Sequence, residues 1–133
     1  MFERLRQNLF LWHQGPMIVW AAALFIQSSI PGDNIPEWSV LSHDKIIHFL
    51  IYIVFAVTVH RGIRNQQRFP LLAQHHWIAT VVIVSVYGAS DEFHQYFVPN
   101  RSCSVYDWGA DSLGAVVYVA GSWLQTKLRS AAS

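Results

Sequence analysis

The stretch "WIATVVIVSVYGASDEFHQYFVPNRS", Trp77–Ser102, runs from a strongly apolar segment straight into a dense group of polar residues. A helix that crosses the bilayer core needs about 20 apolar residues. Asp91 and Glu92 arrive before that length is complete, and His94 follows them. A charged side chain at membrane depth costs at least about 2.5–3.5 kcal/mol, so it usually marks a functional site. The stretch therefore predicts a membrane helix that carries a polar site at one end.

The composition of the whole chain supports a membrane protein. Its 133 residues are enough for one domain, and we assign residues 1–133 to it. Hydrophobic residues make up 53% and charged residues 13%, whereas a soluble domain carries about 25% charged residues. The net charge of +1 gives no reason to expect a nucleic acid partner, and the lipid bilayer is the expected surroundings.

Four segments share an apolar composition and roughly the length of a membrane span: Leu9–Ile30, Asp44–His60, Trp77–Phe97 and Tyr106–Leu124. In lipid every backbone polar group must be bonded within the segment, which favours helices. No period-2 alternation indicates strands. The predicted fold class is all-α, a polytopic membrane protein with four transmembrane helices.

The basic residues predict the orientation of these helices. Seven of the nine Lys and Arg residues lie before the first span, in the loop between spans two and three, or in the C-terminal tail: Arg4, Arg6, Arg61, Arg64, Arg68, Lys127 and Arg129. Cytoplasmic loops carry the excess of Lys and Arg. Both termini are therefore expected in the cytoplasm, and the loops 31–43 and 98–105 are expected to face outward.

Three ionisable residues fall at the same predicted depth. At a rise of 1.5 Å per residue, His48, Asp91 and Asp111 each lie roughly 20 Å from the inner end of their helix. Residues one helical turn apart share a face, and this spacing occurs three times here: Asp44 with His48, Asp91 with His94 and Gln95, and Asp107 with Asp111. We expect these faces to line one outward-facing cavity.

Three motifs in order resemble the VanZ-like family of small bacterial membrane proteins. They are "QSSIPG" (Gln27–Gly32), "DKIIHFLIY" (Asp44–Tyr52) and "YGASDEFHQYFVPNRSCSVYDWGADSLGA" (Tyr87–Ala115). The resemblance covers most of the chain. It implies a four-helix protein of the bacterial inner membrane with several spans, and it implies an association with the cell envelope, since the family takes its name from a teicoplanin-resistance protein.

The polar residues suit the recognition of an anionic envelope lipid, such as a polyprenyl phosphate. Arg101 can clamp a phosphate through two parallel hydrogen bonds, and Lys45 can act as a point charge. The remaining expected ligand-binding residues are polar or acidic: Asp44, Glu92, Gln95, Asp107 and Asp111. This excess of acids over bases could recruit a divalent cation. The catalytic candidates are His94, Asp91 and His48. The two histidines exchange protons near neutral pH, and Asp91 or Glu92 can orient His94.

Other interpretations remain open. The same lipid could be the substrate of a membrane phosphatase or transferase, although the phosphatase element Pro-Ser-Gly-His and the zinc motif His-Glu-x-x-His are absent. The polar cluster could instead be an internal network in a non-catalytic assembly or packing subunit. Transport is disfavoured because the inner half of each helix is nearly all apolar. The pair His75-His76 is interpreted as solvated residues at the inner interface.

Overall fold

The computed structural model describes residues 9–35 and 45–132, and these residues are helical with no strand among them. The helices are α1 (Leu9–His13), α2 (Gly15–Ser28), α3 (Lys45–Asn65), α4 (Pro70–Gln74), α5 (His76–Gln95) and α6 (Val105–Ala131), and a single 3-10 turn covers Gly32–Asn34. The all-α class is confirmed. Asp44, which was expected to bind ligand, lies outside the described residues.

The helix ends differ from the predicted spans in two places. The first segment is divided into α1 and α2, because Pro16 occupies the first turn of α2, where its missing N–H is tolerated. Helix α3 continues to Asn65, past the end of the span that was predicted near His60. Part of the expected cytoplasmic loop is therefore helical, and α4 adds a further short helix to it.

Helix α3 is the central element. It packs against α2, α5 and α6, and α5 also packs against α6. The buried residues of α3 recur at helical spacing, Tyr52, Phe55, Ala56 and Val59, and they meet Val84 of α5 in the core. This spacing is that of one helix face turned inward.

Glycine permits the closest approach between α3 and α6. A Cβ atom on Gly114 would lie 2.7 Å from the backbone oxygen of Phe49 and 3.3 Å from the backbone nitrogen of Ile53. Small residues at such points allow two helix backbones to come together. The packing of these two helices fixes how the polar end of α6 faces the start of α3.

The exterior of the bundle is apolar while part of its interior is polar. Val19, Ile26, Ile78 and Val86 are each more than 60% exposed, at 67%, 65%, 68% and 64%. In contrast, Asp111 is fully buried. One helix among the described residues, Lys45–Asn65, is both long and apolar enough to cross a membrane. Helices α5 and α6 carry the acidic residues, which lowers their mean hydropathy.

A polar network lies toward the end of the bundle where α3 ends and α5 begins. His60 Nδ1 is 2.9 Å from the Tyr118 hydroxyl, and His60 Nε2 is 2.7 Å from His76 Nδ1. The His60 ring also stacks on Trp77 with 4.4 Å between ring centroids. The interpretation of His76 as simply solvated was therefore wrong, because a buried histidine of α3 bonds to it.

Candidate functional site

The first polar contact of the candidate site joins α3 to α6. His48 Nδ1 lies 3.3 Å from Asp111 Oδ1. The Asp111 side chain is fully buried, whereas 19% of the His48 side chain is accessible. Gly88 of α5 leaves the room for this aspartate, since a Cβ at that position would lie 3.2 Å from Asp111 Oδ2. The imidazole thus forms the accessible edge of a buried ion pair.

Glu92 ties the end of α5 to the start of α6. Its Oε2 accepts a hydrogen bond of 2.7 Å from the backbone N–H of Ser104, which is the N-cap residue of α6. A carboxylate at a helix N-terminus is stabilised by the helix dipole and by the free N–H groups there. The other oxygen, Oε1, is buried and has no hydrogen-bond partner.

Asp91 lies on the neighbouring face of α5, toward α2. Its Oδ2 accepts a hydrogen bond of 3.3 Å from Gln95 Nε2, and Ser28 lies beside the same carboxylate. Asp91 and His48 line one cavity of about 10 Å³, together with Tyr52. A cavity of this size holds about one water molecule.

His94 points to a different partner. Its Nε2 lies 2.9 Å from the hydroxyl of Ser29, and its ring stacks on Phe25 at 4.6 Å. Ser29 donates its own proton to the Phe25 carbonyl over 2.7 Å, so it accepts from the His94 ring. The two candidate histidines therefore have different partners, with His48 of α3 next to Asp111 of α6 and His94 of α5 next to Ser29 at the end of α2.

The basic residues at this end form no ion pair with the buried acids among the described residues. The Lys45 ammonium lies over the Tyr106 ring, 4.9 Å from its centroid. In the described part of the chain no Lys or Arg nitrogen comes within 4 Å of a buried carboxylate. The salt bridge found among these residues joins His48 to Asp111. Arg101 is partly exposed, and its Nε and Nη2 atoms are buried without hydrogen-bond partners.

The loop that carries Arg101 is anchored to the loop after α2. The backbone N–H of Gly32 donates to the Pro99 carbonyl over 3.0 Å, and Asn100 donates through its side chain to Asp33. Asn100 adopts a left-handed conformation with φ of 56°, which asparagine tolerates better than most residues. The motifs "QSSIPG" and "VPNRS" are thus in direct contact.

Several members of the site were not singled out from the sequence. Tyr52 is 1% exposed, and its hydroxyl has no hydrogen-bond partner. It lies one helical turn after His48, a spacing that places both on one face of α3. Ser28, Ser29 and Ser104 hold Asp91, His94 and Glu92 in place. Asp107 is half-buried in the first turn of α6.

Three donor atoms of the site come close enough to share one ligand. One atom each from His48, Glu92 and Asp111 lie within 4.8 Å of one another. Imidazole nitrogen and carboxylate oxygen are ligands of divalent metal ions. Among the residues described, these three form the group with metal-binding spacing.

A larger cavity, of about 590 Å³, lies at the opposite end of the bundle between α2, the end of α3 and α4. Its volume falls in the range of small-molecule sites. Gln14, Met17, Arg68 and Phe69 contribute to its wall. It contains none of the residues that the sequence motifs single out, so we place the candidate site at the acidic end despite the smaller cavity there.

Comparison with known proteins gave one family. The family model described as VanZ/LLP1 matches residues 9–125. The searches of curated proteins and of solved structures returned no match.

Proposed function

Because the chain belongs to the VanZ/LLP1 family, whose model covers most of it, we propose that it is a multi-pass protein of the bacterial inner membrane whose outward-facing site binds the phosphate of a cell-envelope lipid. A polyprenyl phosphate or its sugar-linked form is the ligand class. The acids and His48 form the floor of the site and Arg101 its phosphate-binding edge.

The distribution of polar and apolar surface supports the membrane setting. Exposed apolar residues lie on α2, α3, α5 and α6, so each of these helices has a surface suited to lipid. The buried polar residues include Asp91, Glu92, Gln95 and Asp111. Polar groups turned inward and apolar groups turned outward are what a bilayer requires. The distribution of Lys and Arg supports an acidic end that faces outward.

The observation that carries the ligand class is the state of Arg101. Two of its guanidinium nitrogens have no acceptor among the described residues, and a buried donor left unbonded costs about 1–3 kcal/mol. The side chain is partly exposed, so a shift of the guanidinium would bring these buried nitrogens to an incoming phosphate, which would supply the missing acceptors. Arg is well suited to phosphate because its donors form a planar fork.

An enzyme acting on the same lipid is the second candidate. The contact between His48 and Asp111 favours it, since a carboxylate that orients an imidazole is a recurring arrangement for general acid–base catalysis. In that case turnover would release phosphate from the lipid. A non-catalytic packing subunit is the third candidate, supported by the contacts of Glu92 with Ser104 and of His94 with Ser29.

The test compares two lipids that differ only in the phosphate. The full chain is reconstituted in nanodiscs and titrated with a polyprenyl phosphate and with the polyprenol of equal length. We expect binding of the phosphate form alone, weakened tenfold or more in Arg101→Gln, which corresponds to a lost charge-assisted bond of about 1.5–3 kcal/mol.

Arg129→Gln is the matched control, because Arg129 is an exposed arginine at the far end of α6. Equal binding of polyprenol and polyprenyl phosphate would overturn the proposal, as would unchanged binding in Arg101→Gln. Release of inorganic phosphate in the same samples would establish the enzymatic alternative. Teicoplanin susceptibility of cells expressing each variant tests the association with glycopeptide resistance.

A further inference from the structure

We propose that His48, Glu92 and Asp111 bind one divalent transition-metal ion of the zinc class. The three side chains come from α3, α5 and α6, and their donor atoms lie within 4.8 Å of one another. The site stands on this geometry and does not depend on the lipid ligand.

The spacing of the donors suits an ion after a small contraction. An ion placed centrally among atoms at that spacing is at most about 2.8 Å from each, and zinc bonds to nitrogen and oxygen are about 2.0–2.2 Å. The shift required is less than about 1 Å for each side chain. His48 can move because its side chain is partly accessible, whereas Glu92 and Asp111 are held by the packing around them.

Unbonded oxygen atoms are the second, independent observation. Glu92 is 4% exposed and Asp111 is 0% exposed, yet within residues 9–35 and 45–132 neither Glu92 Oε1 nor Asp111 Oδ2 has a hydrogen-bond partner. Neighbouring Asp91, which is 5% exposed, has a third such oxygen, Oδ1. A buried acceptor with no donor costs about 1–3 kcal/mol, and more when it is charged. A cation bound by His48, Glu92 and Asp111 supplies what the two ligand carboxylates lack.

The charge balance leads to the same conclusion. Three buried carboxylates converge at this end, and His48 is the one basic side chain of the described residues that contacts any of them. Burying ionised groups without partners is very costly. A bound divalent ion neutralises two of these charges. The hydrogen bonds from Gln95 and Ser104 come from neutral groups and leave the charges in place.

The donor types select the class of ion. Imidazole nitrogen with carboxylate oxygens suits zinc or manganese, whereas magnesium and calcium prefer oxygen ligands alone. The surrounding contacts hold the ligands in orientation, as is usual around metal sites. Ser104 fixes the second oxygen of Glu92, and Gly88 makes space for Asp111.

A metal here would also remove a difficulty in the proposed function. Acids beside a lipid phosphate repel it, but a bound cation attracts it. This last step, in which the metal bridges the site to a phosphate, rests on the proposed function, while the metal site itself does not.

The experiment measures metal without lipid. The purified full chain is stripped with a chelator, loaded with zinc, manganese or magnesium, desalted, and assayed for bound metal by elemental mass spectrometry and for its melting temperature. We expect about one zinc per chain and a raised melting temperature. Glu92→Gln, Asp111→Asn and His48→Gln should each bind at least tenfold more weakly.

Two variants serve as controls. Asp33→Asn removes an exposed acid of the neighbouring loop, and His75→Gln removes an exposed histidine that could bind zinc adventitiously. Both should bind as the wild type does. Size-exclusion chromatography and circular dichroism establish that each variant is folded. If the acidic variants do not fold, His48→Gln still tests the site, because it removes a ligand that is not fully buried.

The proposal is overturned if the folded wild type retains no metal, or if all three ligand variants bind like the wild type. It is also overturned if His75→Gln alone abolishes the bound zinc. Arg101→Gln should keep the metal, so a failure of lipid binding and a failure of metal binding are distinguishable.

Discussion

His48 and Asp111, which are 63 positions apart in the chain, meet at 3.3 Å across the interface of α3 and α6. The contact connects the second turn of α6 to the first turn of α3, and it is buried on the Asp111 side. It is the point at which the packing of the bundle and the chemistry of the candidate site coincide.

The first prediction concerns this pair. His48→Gln and Asp111→Asn preserve most of the side-chain volume but remove the ion pair, so each should lower the free energy of unfolding by about 1–3 kcal/mol. The double variant should lose less than the sum of the two, because contacting residues are coupled by about 0.5–3 kcal/mol. Denaturant unfolding in detergent micelles measures all four proteins, and strict additivity would contradict a direct interaction.

The second prediction concerns the close approach of α3 and α6. Gly114→Ala places a methyl group 2.7 Å from the Phe49 backbone oxygen, so the helices must separate, at a cost of about 1–3 kcal/mol. Gly121→Ala in the same helix meets nothing within 4 Å and should be neutral or stabilising by up to about 1 kcal/mol. Melting followed by tryptophan fluorescence compares them, and equal melting temperatures would show that the two helices are not in contact at Gly114.

The level of the polar residues could be predicted from the sequence, but their directions could not. Counting residues along three helices put His48 and Asp111 at one depth, and the structure brings them into contact. Their role as a functional site stays a prediction. The same counting gave no sign that His94 turns toward Ser29, because the rotation of a helix depends on its neighbours. Asp91 and His94 are only three residues apart, yet they bond to different partners.

The close packing around Asp111 could not be predicted from the sequence either. Gly88 and Tyr52 enclose Asp111, which only the arrangement of three helices can reveal. The second span was predicted to end near His60, but α3 continues through Arg61 to Asn65, since an arginine at a helix end is favourable and does not terminate it. The His60–His76 contact could not be predicted from the sequence, because it depends on α3 and α5 lying side by side.

The third prediction concerns the junction of the loop after α2 with the loop before α6. A Cβ on Gly32 would lie 1.7 Å from the backbone oxygen of Asn100, so Gly32→Ala must separate the loops and displace Arg101, the next residue. We expect a lower melting temperature and weaker binding of polyprenyl phosphate. Gly109→Ala, where nothing lies within 4 Å, is the control. Wild-type lipid binding in a folded Gly32→Ala protein would show that the loop junction does not position Arg101.

The fourth prediction tests the orientation. Cys103 is the single cysteine, and it is exposed in the loop before α6. A membrane-impermeant maleimide should label it in spheroplasts. In a Cys103→Ser background, Asn65→Cys at the end of α3 should react only after the membrane is permeabilised. The reverse pattern would place the acidic end in the cytoplasm and refute an outward-facing site.

The most direct measurement of the central claim, that the outward site binds an envelope lipid phosphate, is native mass spectrometry of the full chain extracted from bacterial membranes. The account predicts an adduct with the mass of a polyprenyl phosphate on the wild type and on Arg129→Gln, and its loss in Arg101→Gln. The absence of that adduct from the wild type, or its equal presence in Arg101→Gln, would contradict the account.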